Sequence, residues 1–354
     1  MRALIKKITP KTLGKIALFI FSLLVFTFAL ILLKEGAREL GPFVRNFLDV
    51  NNSANALGFG WLFAYSVMSG SPVAAITLTL LDVGALDPPQ AFAMISGSRL
   101  GASFIVLFIG FIYTLRGGER KASMSSGLLS LAVTQTVYVP VLFLGTWLLR
   151  SGWMDGIQLA KAFELGSIFD LMFGPITAWM LLRMPRLAVF GLGFLILLGS
   201  FALLDRALPE MHLEEGAFQG MARILYRPIV TFFLGALVTT VTMSVSLSLS
   251  ILVPLSVRGY VRRENIIPYV MGANITTFVD TLIAAVLLGN PSAFTVVLVN
   301  MLSVGIVSIL IIGLAYLPYE RGILRFVSHL LNNNLALALY MFGIVGVPIL
   351  LMLF

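Results

Sequence analysis

The chain has 354 residues, of which 59% are hydrophobic and only 11% charged, with a mean hydropathy of +1.00. This balance excludes an ordinary soluble domain and points to an integral membrane protein. The net charge of +8 does not indicate a nucleic-acid partner, because the bases fall in short connections between apolar runs, where the positive-inside rule puts them.

Apolar runs at 15–33, 123–149, 187–204, 294–315 and 334–354 come close to or exceed the roughly 20 residues that an α-helix needs to cross a hydrocarbon core about 30 Å thick. The spans are therefore helices and not barrel strands. The first run follows a basic start (Arg2, Lys6, Lys7, Lys11, Lys15) and lacks a small-residue cleavage site. It reads as a retained helix in a cell (inner) membrane, with a cytoplasmic N-terminus.

Next in the chain, "VMSGSPVAA" from Val67 separates two apolar runs too short to span, and "TMSVSLSLS" from Thr242 does the same 175 residues later. At that constant offset Met68-Ser69-Gly70-Ser71 matches Met243-Ser244-Val245-Ser246, Gly84 matches Gly259, and "GSRLGAS" from Gly97 matches "GANITTF" from Gly272. An ungapped register of this length argues for duplication, with repeats over 1–183 and 184–354. Equivalent connections carry opposite charge. Asp82 and Asp87 correspond to a stretch with Arg258, Arg262, Arg263 and Glu264, whereas basic "RGGERK" from Arg116 corresponds to uncharged "GNPSAF" from Gly289. By the positive-inside rule the two halves are inverted.

With span 15–33 leaving the cytoplasm and the acidic loop 82–89 outside, segment 57–84 enters and leaves on one face. Each arm of about 12 residues is roughly 18 Å of helix, so the tip at Ser69–Pro72 reaches past mid-bilayer. A second re-entrant hairpin, about 228–256, is flanked by Arg223, Arg227 and Arg258 and enters from inside. Segments at about 90–115 and 265–289 cross, each interrupted at its glycine motif. The fold expected is an all-α polytopic membrane protein, an inverted-topology repeat with two re-entrant helical hairpins and two discontinuous transmembrane helices. One count does not close. From Arg116 to Arg223 the chain needs an even number of crossings, yet 123–149, 158–183 and 187–204 make three, and 158–183, with Lys161, Glu164 and Asp170, is the least like a simple span.

Non-helical backbone at membrane depth is tolerated where it is buried in protein or lines a polar cavity. Ser71-Pro72 reads as an N-cap followed by proline at the first helical position, so a half-helix begins at the hairpin tip with free N–H groups suited to an anion. Thr276 and Thr277 open the second half-helix in the same way. Hydroxyls of Ser69, Ser71, Ser244 and Ser246 and the amide oxygen of Asn274 offer oxygen ligands to a hard cation such as Na⁺. Ser248 and Ser250 read as packing residues. Arg99 stands at the position matching Asn274, where an unpaired guanidinium costs at least roughly 2.5–3.5 kcal/mol. Its partner is either a bound anion or a fixed carboxylate among Asp280, Asp82 and Asp170. Asp280 is a cation ligand, a proton carrier or that partner.

The pattern resembles the sodium/phosphate cotransporter family, which carries Gln-Ser-Ser-Ser at each hairpin tip and Gly-Ala-Asn-Ile-Gly-Thr-Thr in each following broken helix. "GANITT" from Gly272 and "SGSPVAAITLTLLDVGAL" from Ser69 carry the likeness, over about 57–107 and 232–290. The resemblance implies substrate contacts at Ser69, Gly70, Ser71, Ser244, Ser246, Thr276 and Thr277, joined here by Arg99. It implies a cation site at Ser69, Ser244 and Asn274, with Asp280 beside it. Both family glutamines are methionine here (Met68, Met243), the middle serines are Gly70 and Val245, and the first asparagine is Arg99.

The expected function is secondary active transport of a small inorganic anion, phosphate with Na⁺ as coupling ion. The alternatives are an ion channel on the same plan, or a carrier of a different anion driven by another gradient. No catalytic role is expected. The two histidines, His212 and His329, fall in connections, and no His-Glu-x-x-His, Gly-x-Ser-x-Gly or Walker A motif occurs. No cofactor is implied beyond Na⁺, and the oligomeric state, a homodimer included, stays open.

Overall fold

The structure, a computed structural model, describes residues 10–38, 50–115, 120–153, 164–207, 227–250, 256 and 261–353. The N-terminal bases before residue 10, Arg116, Lys161, His212, Arg223, Arg258 and the end of the second hairpin lie outside the described residues, as do the side chains of Asp170, Ser246 and Ser250. The described chain is helical throughout: α1 Pro10–Ala37, α2 Ser53–Val67, α3 Ser71–Asp82, α4 Pro88–Ala102, α5 Phe104–Leu115, α6 Arg120–Arg150, α7 Glu164–Leu181 and α8 Arg186–Ala207, then α9 Pro228–Thr242, α10 Val245–Ser250, α11 Arg263–Thr276, α12 Val279–Leu288, α13 Pro291–Leu314, α14 Tyr316–Asn332 and α15 Asn334–Met352. Among the described residues seven stretches are long and apolar enough to cross a membrane: α1, α4 with α5, α6, α8, α11 with α12, α13 and α15. Within α7, Leu171–Leu181 is a shorter apolar helix among the described residues. Among the described residues two candidate spans, α6 and α8, lie between Arg116 and Arg223, an even number.

Local sequence sets the helix ends. Asp87 and Gln90 form a capping box at 2.8 and 2.9 Å ahead of Pro88 and Pro89, satisfying two first-turn donors. Asn52 caps α2 through Ala54 and Asn55, and Asn290 caps α13 through Ala293 with Pro291 behind it. At the tips, Met68 (φ 55°) and Met243 (φ 46°) end α2 and α9 in the left-handed conformation, the two non-glycine residues with positive φ among those described. The bounds of α2 and α9 are 175 residues apart at both ends.

Glycines let α2 cross α4 at backbone contact. A Cβ on Gly60 would overlap Met94 O, one on Gly97 would overlap Leu57 O, and one on Gly101 would overlap Trp61 O. Gly235 stands likewise on Tyr269 O and Gly272 on Phe232 O, where α9 crosses α11. Such small-residue crossings gain close dispersion and Cα–H···O contact where water drives no association. Leu57 meets Gly97 while Trp61 meets Gly101, so the contacts step upward together and α2 runs parallel to α4.

Three contacts fix the ends of the bundle. Lys34 pairs with Asp82 at 3.1 Å, and Asn290 donates to Asp82 at 2.7 Å. The ends of α1 and α3 and the start of α13 therefore share one end. At the other end, Tyr316 donates to the Glu264 carbonyl at 3.3 Å, joining the starts of α14 and α11. Helix α1 lies antiparallel to α8, with Gly36 on Phe190, Gly193 on Leu32 and Leu33, and the Phe26 and Phe201 rings 5.3 Å apart.

Candidate functional site

Arg99 and Asp280 face each other at the junction of α4, α12 and the tip before α3. Both side chains are 4% exposed, and Arg99 Nη2 lies 3.6 Å from Asp280 Oδ1. That separation exceeds the roughly 2.7–2.9 Å of a tight charge-assisted bond, and a hydroxyl stands between the two. Thr281 Oγ1 accepts from Arg99 Nη2 and donates to Asp280 Oδ1 at 2.8 Å. The other arm of the guanidinium, Nη1, donates to Thr277 Oγ1 at 3.1 Å and to Ser71 Oγ at 3.4 Å, and the Phe278 ring centroid lies 5.0 Å from the guanidinium carbon. Arg99 Nε and Asp280 Oδ2 are buried without partners among the described residues. The pair is tied together but not saturated.

Gly70 brings the tip onto this cluster. A Cβ there would meet Ser98 O at 2.8 Å and Arg99 Nη1 at 3.3 Å, so the tip residue has to be small for Ser71 to reach the guanidinium. Ser71 is the first residue of α3, with Gly70 in the cap position and no side-chain cap bond. This corrects the expectation that Ser71 is the N-cap: its hydroxyl accepts from Arg99 instead, while Pro72 does stand in the first turn.

The discontinuities also lie elsewhere than expected. Residues 97–102 stay helical, so Arg99 is on α4 and not in a break. The interruptions fall at Ser103 and at Thr277–Phe278, all in αR geometry, which makes each a joint between two helical rods and not an unwound loop. Thr276 closes α11 and Thr277 caps its C-terminus, so neither opens the second half-helix. Thr276 Oγ1 donates to Ala236 O of α9 at 2.9 Å, a packing bond that takes it out of the cluster.

Of the residues expected at the site, Ser71, Arg99, Thr277 and Asp280 converge, with Gly70 against them. Ser69 and Ser244 lie half-buried in their turns, and among the described residues no hydrogen bond joins Ser69 to the ion pair. Asn274 is buried and donates to Thr134 of α6 at 3.1 Å. The Ser248 hydroxyl bonds Thr239 and Tyr269 at 2.8 and 2.9 Å, a packing network. Thr281 and Phe278 were not expected. Thr281 is four residues past Thr277 and so shares its helix face, which is the signal that would have found it. A second cross-helix bond, Ser96 Oγ to Asn300 Oδ1 at 2.8 Å, joins α4 to α13.

The arrangement can present a fixed positive charge, two threonine hydroxyls, a serine hydroxyl and a half-satisfied carboxylate to a small ion. By contrast, a groove of about 740 Å³ along α15 is walled by apolar side chains such as Leu57, Leu142 and Leu339 and suits lipid chains better than ions. Comparison with protein-family models, with curated proteins and with solved structures returned no match.

Proposed function

We propose that this protein is a secondary carrier of a small inorganic anion, phosphate being the cargo that the family resemblance implies, with Na⁺ as the coupling ion. One observation carries the reading: a buried Arg99–Asp280 pair that bridges the two sequence halves at a hairpin tip and leaves Nε and Oδ2 unpaired. A structural ion pair at this depth gains from saturating both partners, whereas a binding site has to leave bonds to be made. An oxyanion that takes the guanidinium fork bidentately competes with Asp280 and satisfies Nε.

The inverted repeat belongs to the same proposal. The antiparallel α1 and α8 and the equal bounds of α2 and α9 support it. On this reading the Asp82 end is outside and the Arg263 end inside, and alternating access rocks one half against the other. The test is uptake of labelled phosphate, sulfate and small carboxylates into proteoliposomes, with and without a Na⁺ gradient. Saturable uptake of one anion that responds to the gradient supports the carrier. Unsaturable, gradient-independent flux means a channel, and no flux of any anion refutes the reading.

A further inference from the structure

Eight buried side-chain polar atoms lack a partner among the described residues. Besides Arg99 Nε and Asp280 Oδ2 they are six hydroxyls: Ser125, Ser126, Ser130 and Tyr138 on α6, and Ser303 and Ser308 on α13. Elsewhere buried hydroxyls bond back to the preceding turn, as Thr77 does to Val73 O, Thr79 to Ala75 O, Ser98 to Ile95 O and Ser200 to Leu197 O, the ordinary solution for a hydroxyl in an apolar helix. These six hydroxyls forgo it.

On α6 the polar positions form a column. Ser126, Ser130, Thr134 and Tyr138 recur every four residues and so share one face of α6. Thr134, the third rung, holds Asn274, and Tyr138 lies within electrostatic reach of Arg99. Ser303 is midway along α13 and Ser308 six residues from its end. Five of the six therefore lie between the middle of the bundle and the end where α6 and α11 begin, and Tyr138 stands just past the middle of α6. That end carries Arg120, Lys121, Arg262, Arg263, Arg321 and Arg325 against Glu264 and Glu320; the opposite end carries Asp82 and Asp87 beside Lys34, Arg150 and Arg186. A basic mouth concentrates anions, and unpartnered buried hydroxyls call for water.

We infer that the α6 and α13 hydroxyls line a hydrated passage for the anion, from Arg99 to the basic end of the bundle. The inference rests on the proposed carrier function and adds to it a route and its wall. Hydroxyls that bond no protein group are free to hydrate a passing oxyanion and to pair with water when it has gone.

Since the chain has no cysteine, single cysteines test this in the full-length protein. Ser126→Cys, Ser130→Cys, Ser303→Cys and Ser308→Cys, reconstituted in proteoliposomes, are treated with an anionic methanethiosulfonate from either side. Ser22→Cys and Ser200→Cys, whose hydroxyls are buried but back-bonded, are the controls. The four positions are expected to react at least about tenfold faster than the controls, as exposure of the thiolate requires, from the basic side only, and modified protein is expected to lose phosphate uptake. Reaction no faster than the controls, reaction from the Asp82 side, or full uptake after modification overturns the passage. Serine-to-alanine variants at the same positions break no protein hydrogen bond, so their fold is expected to stay intact and guards against misfolding as the cause of lost uptake. If the four react from the basic side while wild-type protein carries no phosphate, the passage stands and the cargo is wrong. If Arg99→Ala abolishes phosphate uptake while the four stay unreactive, the carrier stands and the passage falls.

Discussion

Segments 53–115 and 228–288 share a backbone plan and differ in chemistry. Both place a methionine in the left-handed conformation at the tip, both cross their hairpin helix over the next on glycines, and both joint the crossing helix six residues past the first glycine of the motif. At equivalent positions, however, Arg99 stands against Asn274, Gly101 against Thr276, Ile105 against Asp280 and Val106 against Thr281. One segment supplies the cation and the other the carboxylate and threonine hydroxyls. The difference teaches that the geometry resides in glycines and the tip, where the halves agree, and that the chemistry resides where they do not.

The largest effect that breaks this division is removal of one charge. Asp280→Asn leaves the Arg99 guanidinium buried with hydroxyls alone, and Arg99→Ala leaves a buried carboxylate; each is expected to cost about 3–5 kcal/mol, read as a fall in melting temperature in detergent. Next come the shared glycines. Gly97→Ala and Gly272→Ala drive a Cβ into the Leu57 and Phe232 carbonyls, and each is expected to cost about 1–3 kcal/mol by overpacking. Comparable losses in the two halves sustain the shared plan, and a loss confined to one breaks it.

Smaller effects separate the threonines. Thr276→Val removes a bond to Ala236 O, worth about 1 kcal/mol, and is expected to leave anion uptake unchanged. Thr281→Val removes the hydroxyl between Arg99 and Asp280 and is expected to lower uptake at a similar stability cost. Equal uptake in the two variants means that Thr281 is packing as well. Smallest is the strain at the tips. Met68→Gly and Met243→Gly relieve a left-handed residue, a conformation costing roughly 1–2 kcal/mol for an L side chain, offset in part by the lost freedom of glycine in the unfolded chain. Each is expected to shift the melting temperature upward by a few degrees at most.

Much of this was legible in the sequence. The breaks at Met68–Gly70 and Met243–Ser244 and Asp280 as one partner open to Arg99 follow from turn chemistry and from the cost of an unpaired charge. The location of the joints was not legible, because "GSRLG" and "GANIT" stay helical once their glycines seat on a neighbouring helix. The tertiary crossing settles that where local propensity does not. Thr276 misled for the same reason: its hydroxyl is the counterpart of a glycine contact, Gly101 on Trp61 O, which no local pattern reveals. Ser126, Ser130, Thr134 and Tyr138 recur every four residues in the sequence, but the same spacing is common in helices that only pack, so no local pattern marks them.

The most direct test of the central claim, that Arg99 waits for an anion, is labelled-phosphate uptake by the double variant Arg99→Ala with Asp280→Asn. Removing both charges leaves neither one buried alone, so the protein is expected to recover wild-type melting and membrane insertion. The account predicts that it then carries no phosphate. Recovered stability together with wild-type uptake would contradict it and make Arg99 a structural residue.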